Sequence, residues 1–252
     1  MFILLILGVV LCHTYKREMD RELKENAICL GATDIGEYDK ILTLLSVERG
    51  LIKAKIKGVK KPKAKLAFCS FPFSFGEYIF VKIGNSNTVI NCSHYDSFFE
   101  LTYDLNKYYA GASCLEITKL IAKENQPCTG LFVSLLKSLQ NLCYTDISVI
   151  TILTKYFLDC LEFCGFTINI DINLKLEKPI FFNADFGILC NTKDENCIEL
   201  KQMDAEGLVQ LLSGGMDELN DQIKTSKNLL KLVVTFFELK VDDRLTVIHK
   251  FI

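Results

Sequence analysis

The 252-residue chain is poor in the groups that covalent chemistry needs. It has only three histidines, His13, His94 and His249, and none lies in a recognisable motif. P-loop, GxGxxG, HExxH and GxSxG patterns are all missing, which removes the usual marks of ATP use, dinucleotide binding and hydrolysis. The acids are numerous but form no paired motif. Cys92 and His94 share a strand face at i and i+2, yet no orienting group accompanies them, as nucleophilic catalysis requires. The expectation is a protein that binds and is not an enzyme, with no cofactor and no small-molecule substrate.

Long apolar runs and metal-type cysteine pairs are also lacking. Met1 to Cys12 is almost unbroken apolar sequence, but a helix needs about 20 such residues to span a bilayer. Nothing basic precedes the run, and Val10-Leu11-Cys12-His13 is a poor cleavage context for a secretory signal. Residues 1–18 are therefore read as an extension outside the fold, either from a mis-assigned start or as an appendage, with Met19 opening the patterned chain. Eleven cysteines are present, odd in number, scattered and mostly set in apolar runs such as Ile28-Cys29-Leu30. That usage fits reduced, buried thiols in a cytosolic protein. Only Cys160, Cys164, Cys190 and Cys197 could converge, at spacings unlike paired CxxC, so no metal site is predicted.

Net charge is a bland −2, but its distribution is not. Residues 49–82 hold nine basic groups, Arg49, Lys53, Lys55, Lys57, Lys60, Lys61, Lys63, Lys65 and Lys82, against the single acid Glu77. Residues 183–223 lean the other way, with nine acids against Lys193 and Lys201. A local excess of cations suits a polyanion such as nucleic acid.

From residue 20 to about 95 the hydrophobic period is that of strands. Ala27 to Leu30 and Ile41 to Leu45 read as two of them, parted by a turn at Asp34-Ile35-Gly36. After a hairpin at Glu48-Arg49-Gly50, Ile52, Ala54 and Ile56 alternate with Lys53, Lys55 and Lys57, which places the lysines in one outward row. Pro62 marks Val59 to Lys65 as an exposed loop. A last pair, Phe73 to Ile83 and Thr88 to Cys92, is joined by Gly84-Asn85-Ser86-Asn87. Five short strands with a basic face predict a small OB-type barrel over residues 19–96. Phe68, Phe71, Phe73, Phe75 and Tyr78 are expected to be mostly barrel core, while able to offer stacking surfaces for bases.

Past residue 96 the period becomes helical, giving a helical domain over 97–252 and an α+β chain. Helices are predicted over 97–122, 129–143 and 146–164, with Thr129 or Asp146 as caps, and two more close the chain. Residues 165–202 read as a small irregular insert. No internal repeat or low-complexity segment is evident.

The order Gly36-Glu37-Tyr38-Asp39-Lys40-Ile41-Leu42-Thr43-Leu44, Glu48-Arg49-Gly50, Lys57-Gly58-Val59-Lys60-Lys61-Pro62-Lys63-Ala64-Lys65-Leu66 and Pro72-Phe73 resembles the bacterial DNA repair family RecO. The resemblance runs from about Met19 to the carboxyl terminus. It implies an OB-fold amino-terminal domain and a helical domain with a small inserted motif. It also implies a recombination mediator that binds single- and double-stranded DNA, anneals complementary strands, and with RecR helps RecA replace single-strand-binding protein. Lys60, Lys61, Lys63 and Lys65 match the family's basic motif most directly, whereas Lys53 and Lys55 rest on strand geometry. Many members hold zinc in the insert through two CxxC pairs. Here Ile170-Asp171-Ile172-Asn173-Leu174 stands where the first would be, so zinc is not carried over. The family's contact with the acidic tail of single-strand-binding protein maps to the helical domain, without a motif that names residues. A cytoplasmic, nucleoid-associated protein is implied. Two other classes fit the residues alone: an RNA-binding OB module, and a membrane-tethered protein whose lysines face anionic lipid.

Overall fold

The computed structural model describes residues 22–84 and 86–252. The extension read at 1–18, its apolar run and the turn residue Asn85 lie outside the described residues. The chain divides into two compact units, one running to Ser97 and including Ala122–Thr129, the other made of Phe98–Ile121 and Gly130–Ile252. The return of 122–129 to the first unit has no signature in composition.

The first unit is a closed five-stranded barrel with the OB strand order. Strands β1 (Leu23–Ile35), β2 (Asp39–Ser46), β3 (Gly50–Ile56), β4 (Phe75–Ile83) and β5 (Ser86–Asp96) are arranged β1-β2-β3-β5-β4, and β4 closes on β1. Neighbours are antiparallel except β3 and β5, which run parallel at Ala54 to Ile56. Alternation decides what lies inside: Leu42 and Leu44 from β2, Ile52, Ala54 and Ile56 from β3, Tyr78 and Phe80 from β4 and Val89 from β5 form one buried cluster. Gly76 lets two strands approach, since a Cβ there would strike the carbonyl oxygen of Ser93.

The β3–β4 connection is better ordered than an exposed loop need be. Lys61, Ala64, Ala67 and Ser70 each donate a backbone N–H to the carbonyl three residues earlier, a staircase that ends in the 3-10 turn Phe68–Ser70. Its far end is sewn to β1 by Phe73 N–H to the Cys29 carbonyl and Cys29 N–H to the Ser74 carbonyl. Underneath, the buried Tyr78 hydroxyl donates to the Cys69 carbonyl at 2.9 Å.

In the second unit, helices α1 (Leu105–Ile121), α2 (Thr129–Tyr144), α3 (Val149–Phe163), α4 (Gln202–Ser213), α5 (Lys227–Val241) and α6 (Ile248–Phe251) follow in order. The first predicted helix begins late, because a 3-10 turn at Phe99–Tyr103 precedes it. Asp146 caps nothing; Ser148 holds the position before α3, with no side-chain hydrogen bond. Ser226 does cap α5, accepting from Leu229 N–H, and is itself fixed by the buried carboxylate of Asp204. Helix α3 is buried along most of its length; Phe157 meets Phe237 edge-on, and the Tyr156 and Thr118 hydroxyls lie 2.6 Å apart.

The insert is a sheet rather than an irregular segment. Strands β6 (Asn169–Ile170), β7 (Ile180–Asn183), β8 (Ile188–Cys190) and β9 (Cys197–Leu200) pair in the order β6-β8-β7-β9, and Phe182 packs edge-on against Phe236 of α5. Strands this short carry too few residues to display period-two alternation, which is why the sequence pattern conceals them.

Two hairpin glycines separate backbone cost from steric cost. Gly50 (φ +68°) and Gly36 (φ +62°) both adopt the left-handed region, but a Cβ on Gly50 would collide with the Gln126 carbonyl oxygen, whereas Gly36 has open space around it. Gly36→Ala should cost about 1–2 kcal/mol, and Gly50→Ala about 2–5 kcal/mol because the strain and the clash add. Urea unfolding of the two variants checks the order; equal losses would mean that 122–126 does not press on the β2–β3 turn.

Candidate nucleic-acid interface

The outward side of β2 and β3 carries the basic groups, as alternation around a filled barrel requires. Lys53 and Lys55 extend from β3, whose ladder ends at Ile56, so Lys57 stands just beyond the strand rather than within the predicted row. With Arg49, Lys82, Ser86 and Asn87 they line an open groove of about 640 Å³ whose apolar floor includes Ile35, Ile41 and Leu51. Strands 2 and 3 with the loop between strands 4 and 5 form the face on which OB folds take oligonucleotides.

The nine predicted cations fall into two sets. Arg49, Lys53, Lys55 and Lys82 line the groove; Lys57, Lys60, Lys61, Lys63 and Lys65 are exposed on the β3–β4 connection. Four are matched by carboxylates: Arg49 with Glu25 at 3.7 Å, Lys53 with Glu124 at 3.1 Å, Lys55 with Asp39 at 2.8 Å and Lys60 with Asp34 at 2.6 Å. Lys57, Lys61, Lys63, Lys65 and Lys82 form no ion pair with a described residue. Lys63 also sits at φ +66°, a strained setting, with its side chain exposed and no ion pair to a described residue.

Two rings join the loop. Of the five aromatics singled out in the sequence only Phe71 is exposed, at 59%, while Phe73 and Tyr78 are buried. The second exposed ring, Tyr38 in the β1–β2 turn, escapes a reading confined to residues 49–82. Lys61 lies over Tyr38 at 5.4 Å from the ring centre and Lys40 over Phe71 at 5.9 Å. Lys40 also falls outside that window, although the motif Asp39-Lys40 names it. The Tyr38 carbonyl accepts from Lys60 N–H, which ties turn and loop into one surface.

Asp39 sets the loop's position. Its carboxylate pairs with Lys55 and accepts the Gly58 N–H at 2.8 Å, and these two partners hold its pKa below the usual carboxylate range. Asp34 is lowered in the same way by Lys60. Glu25 differs: burial raises its pKa, against the hydrogen bond from Ser46 at 2.5 Å and the charge of Arg49.

None of the remaining predicted residues lines the groove. His94 packs edge-on against Phe68 at 5.4 Å, and the neighbouring thiol of Cys69, with burial, pushes the Cys92 thiol far up. No disulfide joins any of the ten described cysteines. Cys190 and Cys197 both donate towards the Thr192 carbonyl, and among the described residues no three His, Cys, Asp or Glu side chains converge as metal ligands. Among the same residues no helix is long and apolar enough to cross a membrane.

The two partners of Asp39 can be separated. Asp39→Asn keeps an acceptor for Gly58 N–H but frees Lys55, whereas Asp39→Ala removes both contacts. Amide exchange at Gly58 and Lys60 should quicken clearly in Asp39→Ala and little in Asp39→Asn. Because the folded pKa of Asp39 is lowered, its anchoring is complete above the normal carboxylate range and is lost as pH falls through the lowered value. Exchange that is indifferent to both variants and to acid would remove Asp39 as the anchor.

Known proteins resemble this chain along most of its length. The family model for the recombination protein O N terminal region matches residues 19–98, and that for its C terminal region matches 102–246. The DNA repair protein RecO of Acetivibrio thermocellus is 27% identical over 199 residues, covering 79% of this chain and 78% of that one. Its counterpart in Shouchella clausii is 29% identical over 187 residues, 69% of this chain and 68% of the relative. That of Thermoanaerobacter sp. is 25% identical over 213 residues, 82% of this chain and 86% of the relative. With both halves matched by the family's own models, the chain belongs to the RecO family of DNA repair and recombination proteins.

Proposed function

We propose that this chain is a recombination mediator: it binds single- and double-stranded DNA through the barrel, anneals complementary strands, and with RecR helps RecA replace single-strand-binding protein. The observation that carries the reading is the joining of a basic groove on the OB ligand face to a loop whose lysines, Lys60 apart, form no ion pair with a described residue, beside two exposed rings. Family membership supplies the repair context and the proposed partners.

The chemistry is charge cancellation without bond making. A strand entering the groove exchanges condensed counterions for Arg49, Lys53, Lys55, Lys82 and the loop lysines, a sequence-independent source of affinity. Among the described residues no recognition helix or base-reading set of Arg and Asn accompanies it. Lys57, Lys61, Lys63 and Lys65 need no prior break of an ion pair, so they are the first phosphate contacts. Tyr38 and Phe71 add stacking that only unpaired bases can use. Annealing follows from the same groups, since two like-charged strands held together need their repulsion cancelled.

Strand annealing by the protein, with a salt titration of binding to labelled single-stranded DNA, tests this. Each phosphate contact contributes a slope of about −0.7 in log affinity against log salt, so Lys60, Lys61, Lys63 and Lys65 changed together to Ala should flatten it by about 2 to 3 units. Annealing should be lost in the same variant. Tyr38→Ala with Phe71→Ala should weaken single-strand binding about tenfold or more without altering the slope. Binding that is weak, insensitive to salt or unchanged in the lysine variant would reduce the cationic face to a solvated surface. Stronger binding to RNA of the same sequence would favour an RNA-handling role instead.

A further inference from the structure

The groove contains one negative charge that its fold does not require. Lys123 to Gln126 form a tight turn with Asn125 at φ +57°, seated on the barrel where β3 begins. Glu124 bridges Gly50 and Leu51, Leu51 N–H donates to the Lys123 carbonyl at 3.0 Å, and Gly50 leaves the space that the Gln126 carbonyl fills. The backbone alone thus fixes where residue 124 stands. Its side chain lines the groove among Arg49, Lys53, Lys55 and Lys82.

Two of the other three carboxylates paired with the predicted cations also hold other groups, and the third lies elsewhere. Glu25 is buried and bound by Ser46, and Asp39 anchors Gly58; Asp34, paired with Lys60, lies outside the groove lining. Glu124 pairs with Lys53 alone among the described residues, and both side chains are more than half exposed, 54% and 63%. An exposed pair of this kind contributes little to folding. Its consequence for a polyanion is larger, because a phosphate approaching Lys53 meets a carboxylate already in that place.

We infer that Glu124 is an internal competitor for the strand: its carboxylate occupies a phosphate position in the groove, restrains affinity there, and leaves Lys53 when single-stranded DNA binds. The inference rests on the DNA-binding reading above and adds to it a residue that sets the strength and salt dependence of groove binding. Replacing the carboxylate by its neutral isostere keeps the backbone bridges, so the barrel is retained while the competitor is removed.

The test is a salt titration of the full chain with a short labelled thymidine oligonucleotide, comparing wild type, Glu124→Gln, Lys53→Met and the double variant. Glu124→Gln should bind about three- to tenfold more tightly at low salt, with a slope steeper by about 0.7, and the advantage should fade as salt rises. Lys53→Met should weaken binding, and Glu124→Gln should recover at most half of its gain when Lys53 is absent. Thermal unfolding of Glu124→Gln at the wild-type temperature ties the change to the groove. Wild-type affinity in Glu124→Gln at every salt concentration, with Lys53→Met still weakened, overturns the competitor and leaves DNA binding standing. A wild type that shows no salt-dependent binding overturns both.

Discussion

The parallel pairing of β3 with β5 is the constraint from which the cationic surface follows. Antiparallel neighbours can be joined by two residues, but the chain leaving β3 must pass around the barrel and enter β4 before β5 can lie beside β3. The connection, residues 57–74, is therefore required by closure, and it is there that the sequence places five lysines. Because its staircase of turns and its ties to Cys29, Tyr38 and Tyr78 hold it, these lysines are displayed on an ordered support. A binding loop held in one form loses less entropy on meeting its ligand.

Closure also explains why the cations face outward and the rings mostly do not. A small barrel is filled by its own side chains, so every second residue of β2, β3 and β4 is committed to the interior. Lys53 and Lys55 occupy the alternate positions and have only the outer face, whereas Tyr78 and Phe80 have only the inner one. Phe71 and Tyr38 escape this rule because neither lies in a strand. Irregular backbone is what frees an aromatic face for a base.

How far the sequence could be read follows the range of the forces involved. Period-two alternation is local, so the barrel strands, Lys53 and Lys55 were legible from Ile52-Lys53-Ala54-Lys55-Ile56 alone. The charge density of the loop was legible for the same reason. Which cations are already paired was not: Asp34, Asp39 and Glu124 meet Lys60, Lys55 and Lys53 only after the fold brings distant segments together. The return of 122–126 depends on Gly50 making room for it, a relation between residues more than seventy positions apart that no window of sequence contains. The insert sheet was hidden differently, since strands of two to four residues leave no period to detect.

Stability and binding place opposite demands on such a surface. A dense, uncompensated row of ammonium groups repels itself in the free protein, while each compensating carboxylate takes a contact from the phosphate backbone. The fold divides the two demands in space. On the groove and at the root of the loop, Glu25, Asp39 and Asp34 each offset a cation, and the first two also hold backbone or buried side chains in place. On the exposed loop Lys61, Lys63 and Lys65 have no ion pair among the described residues, and there solvent and salt screen their mutual repulsion most effectively. In the proposed function a strand is first captured by cations that break no ion pair with a described residue, and it moves into the groove only as it displaces what is there. Glu124 marks the boundary of this arrangement, because its exposed ion pair contributes little to the fold yet stands in the groove proposed to take the strand.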